Sequence, residues 1–156
     1  MKCWAKDLIE NEEMSIDSVV CAAAISDYLV SESISGKMPS GNDSSLDLIP
    51  FEKILDQIPE WLKSSRNDTN ICVIGFKLLS GSSREELVTA ARKQITRVSV
   101  DAVVANDLSQ LSDNGPRALL VTSSNVEELM DAKHIGVAID GLLRAQDLTL
   151  ESQASD

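Results

Sequence analysis

The segment from residue 71 to residue 107, "ICVIGFKLLSGSSREELVTAARKQITRVSVDAVVAND", decides the fold. It opens with a short continuous apolar run, "ICVIGFKLL" (71–79), which is typical of a strand buried on both faces. Ser83, followed three residues later by Glu86, is a capping-box signal for the start of a helix. "DAVVAND" (101–107) then predicts another buried strand. This order of strand, helix and strand predicts an α/β unit with parallel strands.

The segments before this unit carry the same kinds of signal. "SVVCAAAI" (18–25) predicts a strand buried on both faces, and the Ser-, Gly- and Asn-rich residues 31–45 predict a loop. "LDLIP" (46–50) is read as a short strand. "FEKILDQIPEWL" (51–62) has apolar residues at helical spacing, and Pro59 is expected to kink or split that helix.

The segments after the unit predict a hairpin and a helix. "ALLVTS" (118–123) reads as a further strand, and "VEELM" (126–130) returns it as a hairpin. Asp131 is placed to cap a last helix that runs to about Ala145.

Together these signals predict one α/β domain. Its architecture is a Rossmann-like, largely parallel sheet flanked by helices, with a C-terminal hairpin and helix. The expected boundaries are a single domain at 1–150 and a disordered tail at 151–156.

Composition and charge exclude several classes of protein. A net charge of −11 over 156 residues argues against a nucleic-acid-binding surface, which needs clustered Lys and Arg. A small anion such as a nucleotide triphosphate can still be held by a few local cations and backbone N–H groups. No apolar run approaches the roughly 20 residues of a membrane span, and the N-terminus has no apolar segment of a secretory signal.

The cysteine and histidine content predicts neither disulfides nor a protein-held metal. Cys3, Cys21 and Cys72 form an odd, scattered set, which fits a reducing cytoplasm. His134 is the only histidine, and there is no Cys/His cluster of the kind that binds zinc.

Polar residues follow three of the predicted strands. Ser26 and Asp27 come after the first, Lys77 lies at the end of the second, and Asn106 with Asp107 ends the third. Ligands of open α/β sheets bind at the carboxyl ends of the strands. If these strands are parallel neighbours, the polar groups share one rim and form a candidate site.

Four blocks, in this order, resemble the C-terminal half of phosphopantothenate–cysteine ligase. They are "AAAISDY", the "GK" that places Lys37 ten residues after Asp27, "IGFKLLSGSSREELVTAAR" and "DAVVANDLS". The resemblance covers about Ser18 to Leu143. It implies amide formation between 4′-phosphopantothenate and cysteine in coenzyme A synthesis. It also implies CTP or ATP as the activating nucleotide, Mg²⁺, an acyl-nucleotide intermediate and a homodimer.

The resemblance also assigns roles to individual residues. The Ala23 backbone and Asp27 would orient the nucleotide, Phe76 would pack beside it, and Lys37 would close over the triphosphate as the catalytic cation. Asn106 is the predicted substrate-binding residue. The other predicted nucleotide-binding residues are Lys77, Lys93 and Arg97.

Two departures from the family pattern leave alternatives open. Gln94 and Val98 stand where the fused bacterial form has nucleotide-contacting lysines. The Gly-rich strand–turn–helix of the family's first half has no counterpart in this sequence. The chain is therefore expected to be a ligase completed by an N-terminal-half chain, or else a non-catalytic nucleotide-binding module. An unrelated Rossmann-like scaffold is a third reading.

Overall fold

The architecture is taken from a computed structural model, which describes residues 4–11, 13–32, 35–36, 41, 45–66, 71–110 and 115–153. Four helices are described: α1 (Trp4–Ile9), α2 (Ile54–Arg66), α3 (Arg84–Val98) and α4 (Ala132–Gln153). The strands described are β1 (Ser18–Cys21), β2 (Tyr28–Val30), β3 (Leu48–Pro50), β4 (Cys72–Leu79), β5 (Ala102–Asp107), β6 (Ala118–Thr122) and β7 (Val126–Leu129).

The described strands form a five-stranded sheet in the order β1-β4-β5-β6-β7 and a separate ribbon of β2 with β3. β1, β4 and β5 are parallel neighbours, whereas β6 runs antiparallel to β5 and turns back into β7. The predicted α/β fold with a largely parallel sheet, a C-terminal hairpin and a final helix is confirmed. The carboxyl ends of β1, β4 and β5 therefore lie at one edge of the sheet.

The helix between β4 and β5 begins where the sequence predicts. The Ser83 hydroxyl accepts a hydrogen bond from the Glu86 N–H at 3.2 Å, and the Glu86 carboxylate accepts one from the Ser83 N–H at 2.8 Å. This reciprocal capping box satisfies two donors that the helix itself leaves without a partner. At the other end Ser99, with φ 59°, ends the helix in the left-handed region.

The sheet separates two apolar clusters. One face packs on α2 and α3 through residues such as Ile58, Leu87 and Val103. The other face packs on α4 through residues such as Ile74 and Val104. Because β4, β5 and β6 are covered on both faces, their central residues are almost completely buried.

The expectation for residues 18–25 is wrong in two respects. The strand ends at Cys21, and residues 22–25 are exposed. β1 is also not buried on both faces, since the Val20 side chain retains 40% exposure. The cause is its position at the end of the sheet, because among the described strands β1 pairs only with β4.

Only one of the two strands of the β2–β3 ribbon was predicted from the sequence. The short strand at 46–50 is confirmed as β3, whereas its antiparallel partner β2 lies in a stretch for which no strand was predicted. Tyr28, Val30, Leu48 and Ile49 are all exposed, so the ribbon stands away from the core.

Two helices are longer than the sequence suggested. α2 continues through Pro59 as one element, so it is not split there, and the expected kink stays a prediction. α4 passes Ala145 and ends at Gln153, so residues 151–153, expected in the tail, are helical. Within the described part of the chain, we find no helix with both the length and the apolar character needed to span a bilayer.

Candidate functional site

The carboxyl ends of β4 and β5 bring Phe76 and Asn106 to the same face of the sheet. The register pairs Phe76 with Val104 and Leu78 with Asn106, and side chains paired across a parallel register share a face. Phe76 is half-buried against the cluster under α4, while Leu78 beyond it is exposed. An aromatic ring, an apolar side chain and an amide thus lie side by side at this rim. Lys77 alternates to the opposite face.

The segment after β1 carries Ala23 and Asp27 in an exposed turn. The Ser26 hydroxyl accepts a hydrogen bond from the Tyr28 N–H at 3.1 Å and donates one to the Tyr28 carbonyl at 2.9 Å. The Phe51 N–H donates to the Asp27 carbonyl at 2.8 Å. These bonds fix the Asp27 backbone at the base of the ribbon, and Ala23 is an exposed residue.

The Asp27 carboxylate has a partner that the sequence reading missed. Lys53 Nζ lies 3.0 Å from Asp27 Oδ2, and both side chains are about half exposed. The pairing follows from the ribbon, which brings residues 51–53 back beside residue 27. Exposed pairs contribute little to stability, so this lysine can exchange its carboxylate for the phosphate of a ligand at small cost.

Lys37, the predicted catalytic cation, lies outside the described residues. Ser31 and Asp47, which flank the segment containing Lys37, are joined, since the Ser31 N–H donates to the Asp47 carbonyl at 2.8 Å. Both flanking residues adjoin the ribbon of β2 and β3.

The basic residues of α3 occupy two different environments. Lys93 is exposed. Arg97 makes a two-point ion pair with Asp56 of α2, with Nη2 lying 2.9 Å from Oδ1. The hydrogen bond to that carboxylate raises the pKa of the Arg97 guanidinium above its ordinary value. The geometry makes Arg97 a link between two helices, and its predicted contact with nucleotide stays a prediction.

Gln94 and Val98, which the resemblance matches to lysines of the fused form, are both buried residues of α3. A Cβ atom on Gly75 would lie 2.8 Å from Gln94 Nε2 and 2.8 Å from Leu55 Cδ2, so the ends of both side chains would have to shift to admit one. Gln94 Nε2 has no hydrogen-bond partner among the residues that the structure describes. Because both residues are buried, this part of α3 faces the core.

The Asn106–Asp107 pair is divided between the two faces of the sheet. Asp107 is buried and accepts hydrogen bonds from the Gly81 N–H at 3.0 Å and the Ser82 N–H at 2.7 Å. It also accepts from the Ser109 N–H at 2.9 Å and from the Ser109 hydroxyl. These bonds, led by the Ser109 hydroxyl, lower the pKa of Asp107 to about 2. Asp107 therefore holds the turn between β4 and α3, and Asn106 is left as the polar group of the rim.

An apolar groove of about 430 Å³ lies beside β1. Its lining includes Trp4 and Leu8 of α1 and Ile54 and Ile58 of α2. Cys21 also lines it, and burial raises the pKa of this thiol, so it stays protonated and weakly nucleophilic at neutral pH.

Residues 5–140 match the family model described as the DNA/pantothenate metabolism flavoprotein C-terminal domain. A relative from Thermococcus kodakarensis, named Coenzyme A biosynthesis bifunctional protein CoaBC, is 40% identical over 105 residues. That match takes in 67% of this chain and 25% of the relative, so the chain spans about a quarter of that protein's length.

Two solved structures share the fold. The crystal structure of the DNA/pantothenate metabolism flavoprotein from Streptococcus pneumoniae has a TM-score of 0.70 at 23% identity, over 90% of this chain and 68% of that one. A Cab2 mutant in complex with phosphopantothenate-cysteine has a TM-score of 0.59 at 18% identity, over 96% of this chain and 50% of that one. At these identities the likeness establishes the fold alone.

Proposed function

The chain belongs to the DNA/pantothenate metabolism flavoprotein C-terminal domain family, and from that premise we propose that it is the nucleotide-contacting part of a phosphopantothenate–cysteine ligase. The observation that carries the proposal is the rim itself. Three parallel strands end at one edge, and we propose that the turn with Ala23 and Asp27, the Phe76 ring and the Asn106 amide meet the nucleotide there. This is the edge at which open α/β sheets bind ligands.

Each group has chemistry suited to a nucleotide. The Asp27 carboxylate can accept hydrogen bonds from a ribose or base, and the exposed backbone at Ala23 offers further polar groups. The half-buried Phe76 ring provides a face against which a base or sugar packs. Asn106 presents both a donor and an acceptor to the second substrate.

The proposed reaction has two steps. The carboxylate of 4′-phosphopantothenate attacks the α-phosphate of CTP or ATP, and pyrophosphate leaves as the acyl-nucleotide forms. The amine of cysteine then attacks the acyl carbon, and the nucleoside monophosphate leaves. Lys37 and Lys53 would neutralise the negative charge that grows on the phosphates.

Magnesium fits this rim as a companion of the nucleotide. Mg²⁺ is commonly bound through one or two carboxylates, substrate phosphates and retained waters. Asp27 is an exposed carboxylate of that kind. In the described part of the chain, no three His, Cys, Asp or Glu side chains cluster as a metal site, so most ligands would come from phosphate and water.

A second candidate is a nucleotide-binding module without catalysis of its own. The burial of Gln94 and Val98 favours it, because the resemblance matches these two residues to nucleotide-contacting lysines of the fused form and neither can supply a cation to the rim. In that case the rim binds nucleotide, and the ligase reaction needs groups from elsewhere.

Calorimetry and a pyrophosphate assay separate the two candidates. We expect CTP or ATP with Mg²⁺ to bind saturably, and Asp27→Asn to weaken binding about tenfold, as for a hydrogen bond to a charged group. Asp140→Asn is the matched control, because Asp140 is also an exposed, ion-paired carboxylate but lies on α4. Pyrophosphate release with phosphopantothenate and cysteine supports the ligase, and binding without release supports the module. No binding at millimolar nucleotide would refute both.

We also propose that the chain forms a homodimer. The exposed apolar ribbon of β2 and β3 supports this, because an isolated two-stranded ribbon is marginally stable in water. Sedimentation velocity of the wild type and of Leu48→Glu tests the proposal, which expects the variant to be monomeric.

A further inference from the structure

A second cavity, of about 150 Å³, lies where β5 ends and β6 begins. Its lining includes Arg84 of α3, Asn106 of β5 and Glu128 of β7, so three separate elements contribute to it. Asn106 also ends β5 at the edge where the three parallel strands end. The cavity is smaller than the roughly 300 Å³ of sites for drug-sized ligands, so it suits a small metabolite.

The lining of this cavity changes character with depth. Leu87, Ala105 and Leu119 line it and are buried. The charged residues of the lining are exposed, with the exception of Asp107. A ligand would therefore place an apolar or thiol group at the buried side chains and its charged groups at the exposed ones.

The charged lining includes an ion pair with donors and acceptors to spare. Arg84 Nε lies 3.0 Å from Glu128 Oε1, and both side chains are about half exposed. A guanidinium has five N–H donors and a carboxylate has two oxygens, so this contact uses only part of each group. No other hydrogen bond of these two side chains joins them to a residue that the structure describes. The pair can therefore hold a carboxylate on Arg84 and an amino group on Glu128 without breaking.

Arg117 adds a second cation to the lining. Its N–H donates to the Leu129 carbonyl at 2.7 Å, and within the described ranges its guanidinium has no ion-pair partner. Asp107 contributes no opposing contact, because its carboxylate already accepts hydrogen bonds from Gly81, Ser82 and Ser109. Two guanidinium groups beside one free carboxylate oxygen favour a zwitterion over a dianion such as phosphate, which Glu128 would repel.

We propose that this cavity binds the α-amino acid that supplies the amine of the reaction, with its carboxylate on Arg84 and Arg117 and its amino group on Glu128. The inference rests on the proposed function, which makes that amino acid cysteine. The thiol then lies against the buried side chains of Leu87 and Leu119. Because Asn106 lines the cavity and ends β5, the amino group is held beside the edge proposed to bind the nucleotide.

Amide NMR spectra of the full chain, titrated with L-cysteine under reducing conditions, test the site. The titration is run with and without Mg²⁺ and CTP or ATP. We expect saturable shifts at residues 84, 117 and 128. Cysteamine lacks the carboxylate and mercaptopropionate lacks the amine, so each should bind about tenfold more weakly than cysteine, as for the loss of a hydrogen bond to a charged group.

Substitutions in the lining show which group binds which end of the ligand. Arg117→Gln should weaken cysteine binding about tenfold, because it removes a charge-assisted contact without breaking an ion pair. Glu128→Gln should reduce the preference for cysteine over mercaptopropionate. Arg92→Gln is the matched control, since Arg92 is an exposed arginine of α3 outside this lining, and it should bind as the wild type does. Thermal melts check the folding of every variant.

Several results would overturn the inference. One is the absence of shifts at about 10 mM cysteine, roughly tenfold above the usual upper range of KM. Others are cysteamine or inorganic phosphate binding as tightly as cysteine, and Arg117→Gln binding like the wild type. A chain that binds nucleotide but no cysteine loses only the inference. A chain that binds cysteine in this cavity but no nucleotide loses the proposed function and keeps an amino-acid site.

Discussion

The two ends of the sheet differ in how completely they are enclosed. Around β4, β5 and β6 both faces are covered, and Ile74 and Val103 are fully buried. Around β1 one edge and part of one face are open, and Val20, Ile25 and Trp4 are exposed. The enclosed end is packed like the interior of an ordinary α/β domain, whereas apolar side chains at the open end remain exposed to solvent.

Most of the contacts that hold the fold lie at the enclosed end, while the proposed nucleotide rim runs from the open end to Phe76 and Asn106 on β4 and β5. The enclosed end contains the capping box of α3 and the Asp107 hydrogen bonds, which are complete within the chain. The open end contains Ala23, Asp27, Lys53 and the ribbon that carries the Lys37 loop. Contiguous exposed apolar surface commonly marks a site of interaction with a ligand or another protein.

A pair of substitutions on neighbouring strands tests the contrast most strongly. Ile74→Ala should lower the free energy of unfolding by about 3 kcal/mol, because it removes fully buried methyl groups and leaves a cavity. Val20→Ala, its partner in the register, should lower it by less than about 0.5 kcal/mol, as at most surface positions. Urea denaturation measures both. Equal losses would show that β1 is as enclosed as β4.

Lys37→Ala tests whether the segment carried by the open end contributes to nucleotide binding. Losing a charge-assisted contact with phosphate should weaken CTP or ATP binding about tenfold or more, with no effect on the unfolding free energy. Calorimetry measures the affinity, and Lys133→Ala on α4 is the matched control. Equal affinities of Lys37→Ala and the wild type would remove the loop from the nucleotide site.

Acid titration tests the enclosed end through Asp107. Its folded pKa of about 2 lies below the ordinary 3.8, so the ionised form stabilises the fold. That contribution is present above pH 3.8 and is lost as the pH falls through about 2. Asp107→Asn should be less stable than the wild type at pH 6, and the gap should narrow below pH 3. Unfolding curves from pH 1.5 to 6 measure it, and a gap independent of pH would contradict the assignment.

Arg97→Met gives the smallest expected effect. The Arg97–Asp56 pair is exposed and links α2 to α3, so its loss should cost less than about 1 kcal/mol of unfolding free energy. We expect nucleotide affinity to change less than in Lys37→Ala. A tenfold loss of affinity would instead place Arg97 at the nucleotide.

The enclosed end could be predicted from sequence because its signals are local. The apolar runs of β4 and β5 and the Ser83–Glu86 capping box each lie within a few residues of the element they specify. The open end could not, because the exposure of Val20 depends on which strand stands beside β1, and β2 depends on its pairing with β3. The Asp27–Lys53 pair depends on that same pairing.

The same limit applies to the candidate site. The common edge of β1, β4 and β5 was predictable from the alternation of strands and helices. The separation of Asn106 from Asp107, and the engagement of Arg97 by Asp56, could not be read from residue type, because each depends on long-range contacts.

Hydrogen exchange with and without Mg²⁺ and saturating CTP or ATP tests the central claim most directly, since it maps the bound nucleotide onto the sheet. The account predicts slower exchange in residues 22–30 and 74–79, with no change along α4. Slowing along α4 alone, or an unchanged exchange pattern at millimolar nucleotide, would contradict it.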